Sequence, residues 1–142
     1  MKELFVQPAA SDAGTALGAA AYAAHLHGIE VEKLHHVYLG PSYTNEECIE
    51  ACKEHPGKPV WEVIDDPVKI TAQLLADGNP VSWFQGRMEF GPRSLGNRSI
   101  LGCPSSKGVA DRINEQIKYR ERWRPFCPSV LDTVAEELLL LY

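Results

Sequence analysis

Nine of the twelve residues from Ala13 to Ala24 are alanine or glycine, and this run restricts the fold more than any other stretch of the chain. Alanine is the strongest helix former, and Ser11 with Asp12 supplies a helix start, so a helix is expected over about 12–26. Side chains this small cannot build a core of their own. Either something large packs very close to Gly14 and Gly18, or the segment is a plain alanine-rich end helix. The preceding Phe5-Val-Gln-Pro reads as a short strand.

Beyond Gly28, short apolar runs alternate with turn signals. Val37-Tyr38-Leu39 has strand character and ends in a Gly40-Pro41-Ser42 turn. Thr44 and Glu47 form a capping-box pair that predicts a helix over about 45–54, stopped before Pro56-Gly57. Val60, Trp61, Val63 and Ile64 suggest another strand. Asp66-Pro67 then opens a helix over 67–77, with Val68, Thr71, Leu74 and Leu75 inward. Val81–Phe84 reads as a strand leading into a loop over about 91–106. Val109, Ile113 and Ile117 set a helical stripe over 107–119 that leaves Arg112, Asn114, Lys118 and Tyr119 on or beside other faces. A proline-marked extended segment from Trp123 to Leu131, suited to a sheet edge, precedes a final helix from Glu136. The abrupt end of that helix has the pattern of a cut inside a larger protein. The fold class is α/β, with short strands in a mixed sheet and flanking helices.

With 142 residues, 44% hydrophobic and 23% charged, the chain suits one soluble core and excludes collagen-like, wholly disordered and membrane-spanning classes. Four cysteines without a secretory leader place it in a reducing cytoplasm. Cys48 and Cys52, four apart on one helix face, are read as small buried hydrophobes in preference to half a metal site. The five histidines form no H-E-x-x-H and no nucleophile triad.

Charge is divided unevenly. The net charge is -5, yet residues 81–124 hold nine bases against four acids, which leaves ten net negative charges on the remainder. A positive block in an acidic chain fits a small anion better than a nucleic-acid backbone. Within it, Gln85-Gly-Arg-Met-Glu-Phe-Gly-Pro-Arg-Ser-Leu-Gly-Asn-Arg-Ser interleaves glycine with arginine. Arg87, Arg93 and Arg98 offer rigid donor forks to phosphate or carboxylate oxygens, and Ser94, Asn97 and Ser99 add neutral groups that direct a ligand. The run matches neither a P-loop nor the dinucleotide fingerprint, so the residues alone say anion site and leave the anion open. Glu89, among cations, is expected to orient a guanidinium with a low pKa. Asn114, Lys118, Arg120, Arg122 and Arg124 form a second basic strip, with Arg124 extended before Pro125. Met88, Phe90 and Trp83 are read as core or pocket wall. Asp12 either meets a metal or caps its helix.

Trp83 to Leu101 and Arg112 to Leu131, together with Tyr38-Leu-Gly-Pro-Ser-Tyr, closely resemble the C-terminal domain of the carbamoyltransferases that modify nodulation factors and antibiotics. The resemblance implies a YrdC-like fold over 29–142, truncated at its C-terminal end. Residues 1–28 resemble the last strand and helix of the preceding actin/sugar-kinase-like ATPase domain, with Asp12 as its metal-ligand aspartate and Gly14 near the nucleotide. Ser94 and Cys127 stand where the family commonly has alanine.

The implied chemistry is activation of carbamoyl phosphate with ATP as carbamoyl adenylate, then transfer to a hydroxyl of a small molecule or oligosaccharide. Arg93, Arg98, Lys118 and Arg124 are the implied catalytic residues, and Arg87, Ser94, Asn97, Ser99 and Gly14 the implied cofactor-binding ones. A divalent metal, magnesium or iron, is expected only in the complete protein, and the isolated chain is expected not to complete the reaction. The alternative is a non-catalytic anion- or nucleotide-binding module or a structural fragment. A double-stranded RNA binder is the weakest reading at this net charge. No membrane or nucleic-acid partner is expected, and the 12–26 helix is a candidate surface for homo-oligomers.

Overall fold

The computed structural model describes residues 6, 7 and 9–138. Its elements, in chain order, are α1 (Asp12–Leu26), α2 (Asn45–Glu54), α3 (Pro67–Ala76), β1 (Val81–Phe84), β2 (Arg98–Leu101), α4 (Val109–Arg112) continuing into a π-turn (Ile113–Ile117), and α5 (Asp132–Leu138). The chain is therefore mixed α/β, with β1 and β2 in a two-stranded antiparallel sheet.

Local capping chemistry fixes the helix starts. Thr44 Oγ1 accepts from Glu47 N at 3.2 Å while the Glu47 carboxylate accepts from Thr44 N at 2.7 Å, which closes the expected capping box on α2. Asp66 Oδ1 accepts from Lys69 N at 2.9 Å, and Pro67 occupies the first turn of α3. α1 begins without a side-chain cap; Ser11 contributes its carbonyl to Gly14 N and Thr15 N. The face of α1 carrying Ala13, Gly14, Leu17, Ala21 and Ala24 is half-buried, and its other face is exposed.

The strands depart further from expectation. β2 forms inside the stretch expected to be loop. Residues 37–41 take no strand of their own but run beside 88–90: Phe90 N donates to Val37 O at 2.6 Å, Gly40 N to Met88 O and Met88 N to Pro41 O, each at 2.9 Å. Val60, Trp61, Val63 and Ile64 are exposed and lie in no strand, because among the described residues no backbone hydrogen bond gives 59–64 a pairing partner. Likewise, residues 123–131 form no strand. α5 begins at Asp132, four residues before the expected start at Glu136. The strand expected around Phe5 and the tail after Leu138 lie outside the described residues.

The chain divides into two compact units, one of Met1–Asp65 with Ser82–Ser99, the other of Asp66–Val81 with Ile100–Tyr142. In the first, Ala9 and Val37 are the buried apolar residues, beside a buried Glu89. Ala9 is enclosed by glycine. Gly91 holds φ +105°, and a Cβ there would stand 2.7 Å from the Ala9 Cβ; a Cβ on Gly14 would run into the Ala9 carbonyl.

In the second unit, Val109, Ile113 and Ala135 are buried with Asn114. The expected stripe of Val109, Ile113 and Ile117 fails at its last member, which is 41% exposed, while Asn114 is fully buried. The wider π-turn is the cause. Lys118 N donates to Ile113 O, five residues back, and the extra residue in the turn rotates the register away from the 3.6 period.

Two glycine substitutions should act in opposite directions. Gly91→Ala meets both an unfavourable φ and a steric clash, and should lower unfolding stability by about 2–3 kcal/mol. By contrast, nothing lies within 4 Å of a Cβ on Gly18, in the middle of α1. Gly18→Ala should therefore raise stability by up to about 1 kcal/mol. Urea midpoints of the two variants check both signs.

Candidate anion-binding site

The arginine loop of the first unit is organised from inside by Glu89. One carboxylate oxygen, Oε1, accepts from the backbone N–H groups of Leu95, Asn97 and Arg98 at 2.7, 2.8 and 3.2 Å. The other, Oε2, accepts from Arg98 Nε at 3.3 Å, and Arg98 Nη2 reaches the Glu89 carbonyl at 3.4 Å. Burial pushes this carboxyl up, but the backbone donors outweigh it and hold the pKa down to about 2. A low value is what the sequence implied, for a partly different reason, since the principal partners are main-chain amides. Three convergent N–H groups form a nest of the kind that binds anions, and here it is filled by the chain's own carboxylate. Ligand recognition is left to the side chains around it.

Around that centre, segments distant in sequence converge. Arg87 Nε donates to Gly40 O at 3.0 Å and Nη2 to Leu39 O at 2.8 Å, and Tyr38 Oη donates to Leu95 O at 2.8 Å. Gly40 allows the approach, because a Cβ there would stand 2.9 Å from the Met88 carbonyl oxygen. Asn97 Nδ2 donates to Arg87 O at 2.7 Å, and Ser99 Oγ accepts from Gly96 N at 3.1 Å. Arg87, Asn97 and Ser99 thus hold the loop in shape. Arg93 and Ser94 are exposed and make no hydrogen bond or ion pair with the described residues. Arg98 is half-exposed beside Glu89.

Of the residues expected to touch a cofactor, Gly14 lies against Ala9, inside the seam that closes on Gly91. Asp12 stands exposed in the first turn of α1. No three His, Cys, Asp or Glu side chains are grouped as metal ligands among the described residues. Cys48 is exposed and Cys52 half-buried, and all four cysteines are free thiols. The expected burial of Cys48 is therefore wrong: α2 has no buried residue to share a core with.

The second basic strip is organised by Asn114. Its Nδ2 donates to Arg122 O at 3.1 Å and Arg124 O at 3.0 Å, and its Oδ1 accepts from Arg120 Nε at 2.6 Å. Arg122 pairs with Asp111 and Glu115, and Arg124 pairs with Glu121 while lying over the Trp123 ring. Lys118 is exposed, with no ion pair among the described residues. The same unit holds a cleft of about 420 Å³ lined by Asp77, Gly78, Ser106, Lys107 and Arg112 among others, and none of the residues singled out as catalytic or cofactor-binding lines it. Its arginine donates to the Gly78 carbonyl. Sequence reasoning missed both this cleft and the central place of Asn114.

Residues 72–140 match the family described as carbamoyltransferase C-terminus. That stretch, just under half of the chain, fits the carbamoyltransferase C-terminal family. The chain is 45% identical to nodulation protein NolNO of Sinorhizobium fredii over 99% of the chain and 21% of that protein. It is 44% identical to nodulation protein NolO of Bradyrhizobium diazoefficiens over 98% of the chain and 26% of that protein. It is also 35% identical to the 3'-hydroxymethylcephem-O-carbamoyltransferase of Streptomyces clavuligerus over 88% of the chain and 22% of that protein. The chain thus spans about a fifth to a quarter of the length of these relatives. No helix among the described residues is long and apolar enough to cross a membrane.

The Glu89 arrangement yields two expectations. Glu89→Gln places an amide group towards the Arg98 guanidinium and should lower stability by about 2–4 kcal/mol. Because the folded pKa of about 2 lies below the ordinary carboxylate value of 4.5, the stabilisation by Glu89 is complete above pH 4.5 and declines as the pH falls towards 2. Urea titrations between pH 7 and pH 3 should show a shallower acid-side loss in Glu89→Gln than in the wild type.

Proposed function

We propose that this chain carries part of the site at which carbamoyl phosphate is activated with ATP as carbamoyl adenylate, ahead of transfer of the carbamoyl group to an acceptor hydroxyl. The observation that carries this reading is the loop of the first unit, in which a buried carboxylate fixes the backbone while Arg93 is exposed with no partner among the described residues. The family match over 72–140 and a relative named as an O-carbamoyltransferase support the choice of chemistry.

In this proposal Arg93, with the half-exposed Arg98, receives the phosphate of carbamoyl phosphate, and Ser94 adds a hydroxyl at the same loop tip. Two neighbouring forks can neutralise charge as phosphorus–oxygen bonds rearrange. Lys118 and Arg124 of the second unit are assigned to nucleotide phosphates on the strength of the family likeness. Formation of the adenylate consumes water and releases both phosphate and pyrophosphate, so the anions handled change in number during the step. Arg87, Asn97 and Ser99 act as positioning residues through the loop backbone. Transfer to the hydroxyl, on a small molecule or oligosaccharide, is assigned to the rest of a longer protein, acting in the cytoplasm.

Calorimetric titration of the chain with carbamoyl phosphate and ATP, separately and together, tests the reading. Saturable binding of carbamoyl phosphate that weakens at least tenfold in Arg93→Ala is the expected result. No binding by folded wild-type protein overturns it. Binding without pyrophosphate release on prolonged incubation favours the second reading, a non-catalytic anion module, for which the self-filled nest at Glu89 is the favouring observation.

A further inference from the structure

Tyr119 adopts a left-handed backbone, φ +48°, and its side chain is 86% exposed. L residues other than glycine avoid this region, and aromatic ones rarely enter it. Bonds on either side enforce it. Lys118 N donates to Ile113 O at 2.9 Å, Arg120 N to Asn114 O at 2.8 Å, and Arg120 Nε to Asn114 Oδ1 at 2.6 Å. Asn114 is fully buried and also holds the carbonyls of Arg122 and Arg124, so residue 119 cannot relax without disrupting that set.

The side chain gains nothing visible from this arrangement. Among the described residues Tyr119 makes no hydrogen bond and no aromatic contact. Backbone outliers held by their surroundings, and π-turns such as Ile113–Ile117, gather at ligand sites. What is displayed is a flat, amphipathic ring next in sequence to Lys118, an exposed cation with no ion pair among the described residues. The complement of a ring and a cation is a planar heteroaromatic group joined to an anion, which is the chemistry of a nucleotide.

We propose that Tyr119 stacks on the base of the nucleotide while Lys118 meets a phosphate. The inference rests on the nucleotide reading above and adds to it the residue that separates a nucleotide from a bare polyphosphate. Tyr119 binds ligand and takes no part in bond rearrangement.

The test compares ATP with inorganic tripolyphosphate by calorimetry on the intact chain, in wild type, Tyr119→Phe and Tyr119→Gly. Glycine suits φ +48°, so the second variant keeps the fold, which circular dichroism verifies. ATP affinity should fall about tenfold in Tyr119→Gly, stay within twofold of wild type in Tyr119→Phe, and leave tripolyphosphate binding unchanged in both. Unaltered ATP affinity in Tyr119→Gly overturns this inference and leaves the nucleotide reading standing. So does an equal loss for both ligands, which assigns Tyr119 a structural role. If the wild type binds neither ligand, the nucleotide reading fails and the inference falls with it.

Discussion

The first unit depends on one carboxylate accepting three backbone N–H groups. Glu89 Oε1 gathers Leu95, Asn97 and Arg98 from a stretch of four residues, a geometry that a glycine-rich loop would not hold alone, given the conformational freedom of its backbone. Once the loop closes on Glu89, Arg98 is anchored beside it, Tyr38 can bond the Leu95 carbonyl, and Arg87 can reach the carbonyls of residues 39 and 40. An ionised group without solvent is tolerable only with such complete satisfaction. The loop is thus built around an anion of its own, which leaves guanidinium groups as the means of meeting an anion from outside.

Asn114 plays the parallel part in the second unit. Its amide uses both ends, two donations to carbonyls and one acceptance from an arginine. Among the described residues of each unit, a buried polar residue sits with two or three buried apolar ones. With cores this thin, specificity comes from satisfied hydrogen bonds as much as from packing. Exposed rims of α1 and of residues 60–64 follow from the same shortage of apolar cover.

Short-range chemistry was legible in the sequence, and long-range pairing less so. Thr44 with Glu47, and Asp66 with Pro67, announced their helices because the partners lie three residues apart or less. β1 was visible as an apolar run, whereas β2, in Arg98-Ser-Ile-Leu, was hidden behind glycine and arginine spacing that looked like loop. Ile117 failed as a core residue because a π-turn breaks the period on which the stripe was counted. For the site, the residue types were readable and their division of labour was not. Arg87 and Arg93 look alike in sequence, yet one bonds backbone carbonyls and the other is exposed with no partner among the described residues. That difference is set by contacts with residues 39 and 40, nearly fifty positions away.

The stretch 59–64, which has no backbone pairing partner among the described residues, bears on how the chain behaves in concentrated solution. An apolar, strand-forming run with no pairing partner among the described residues presents amides and carbonyls to neighbouring molecules, the starting condition for intermolecular β-pairing. Its own sequence restrains this: Pro56 and Pro59 remove amide donors, and Lys58 and Glu62 place charges in and beside the run. These four residues then act as gatekeepers on the run, and a change that removed them would be felt as self-association.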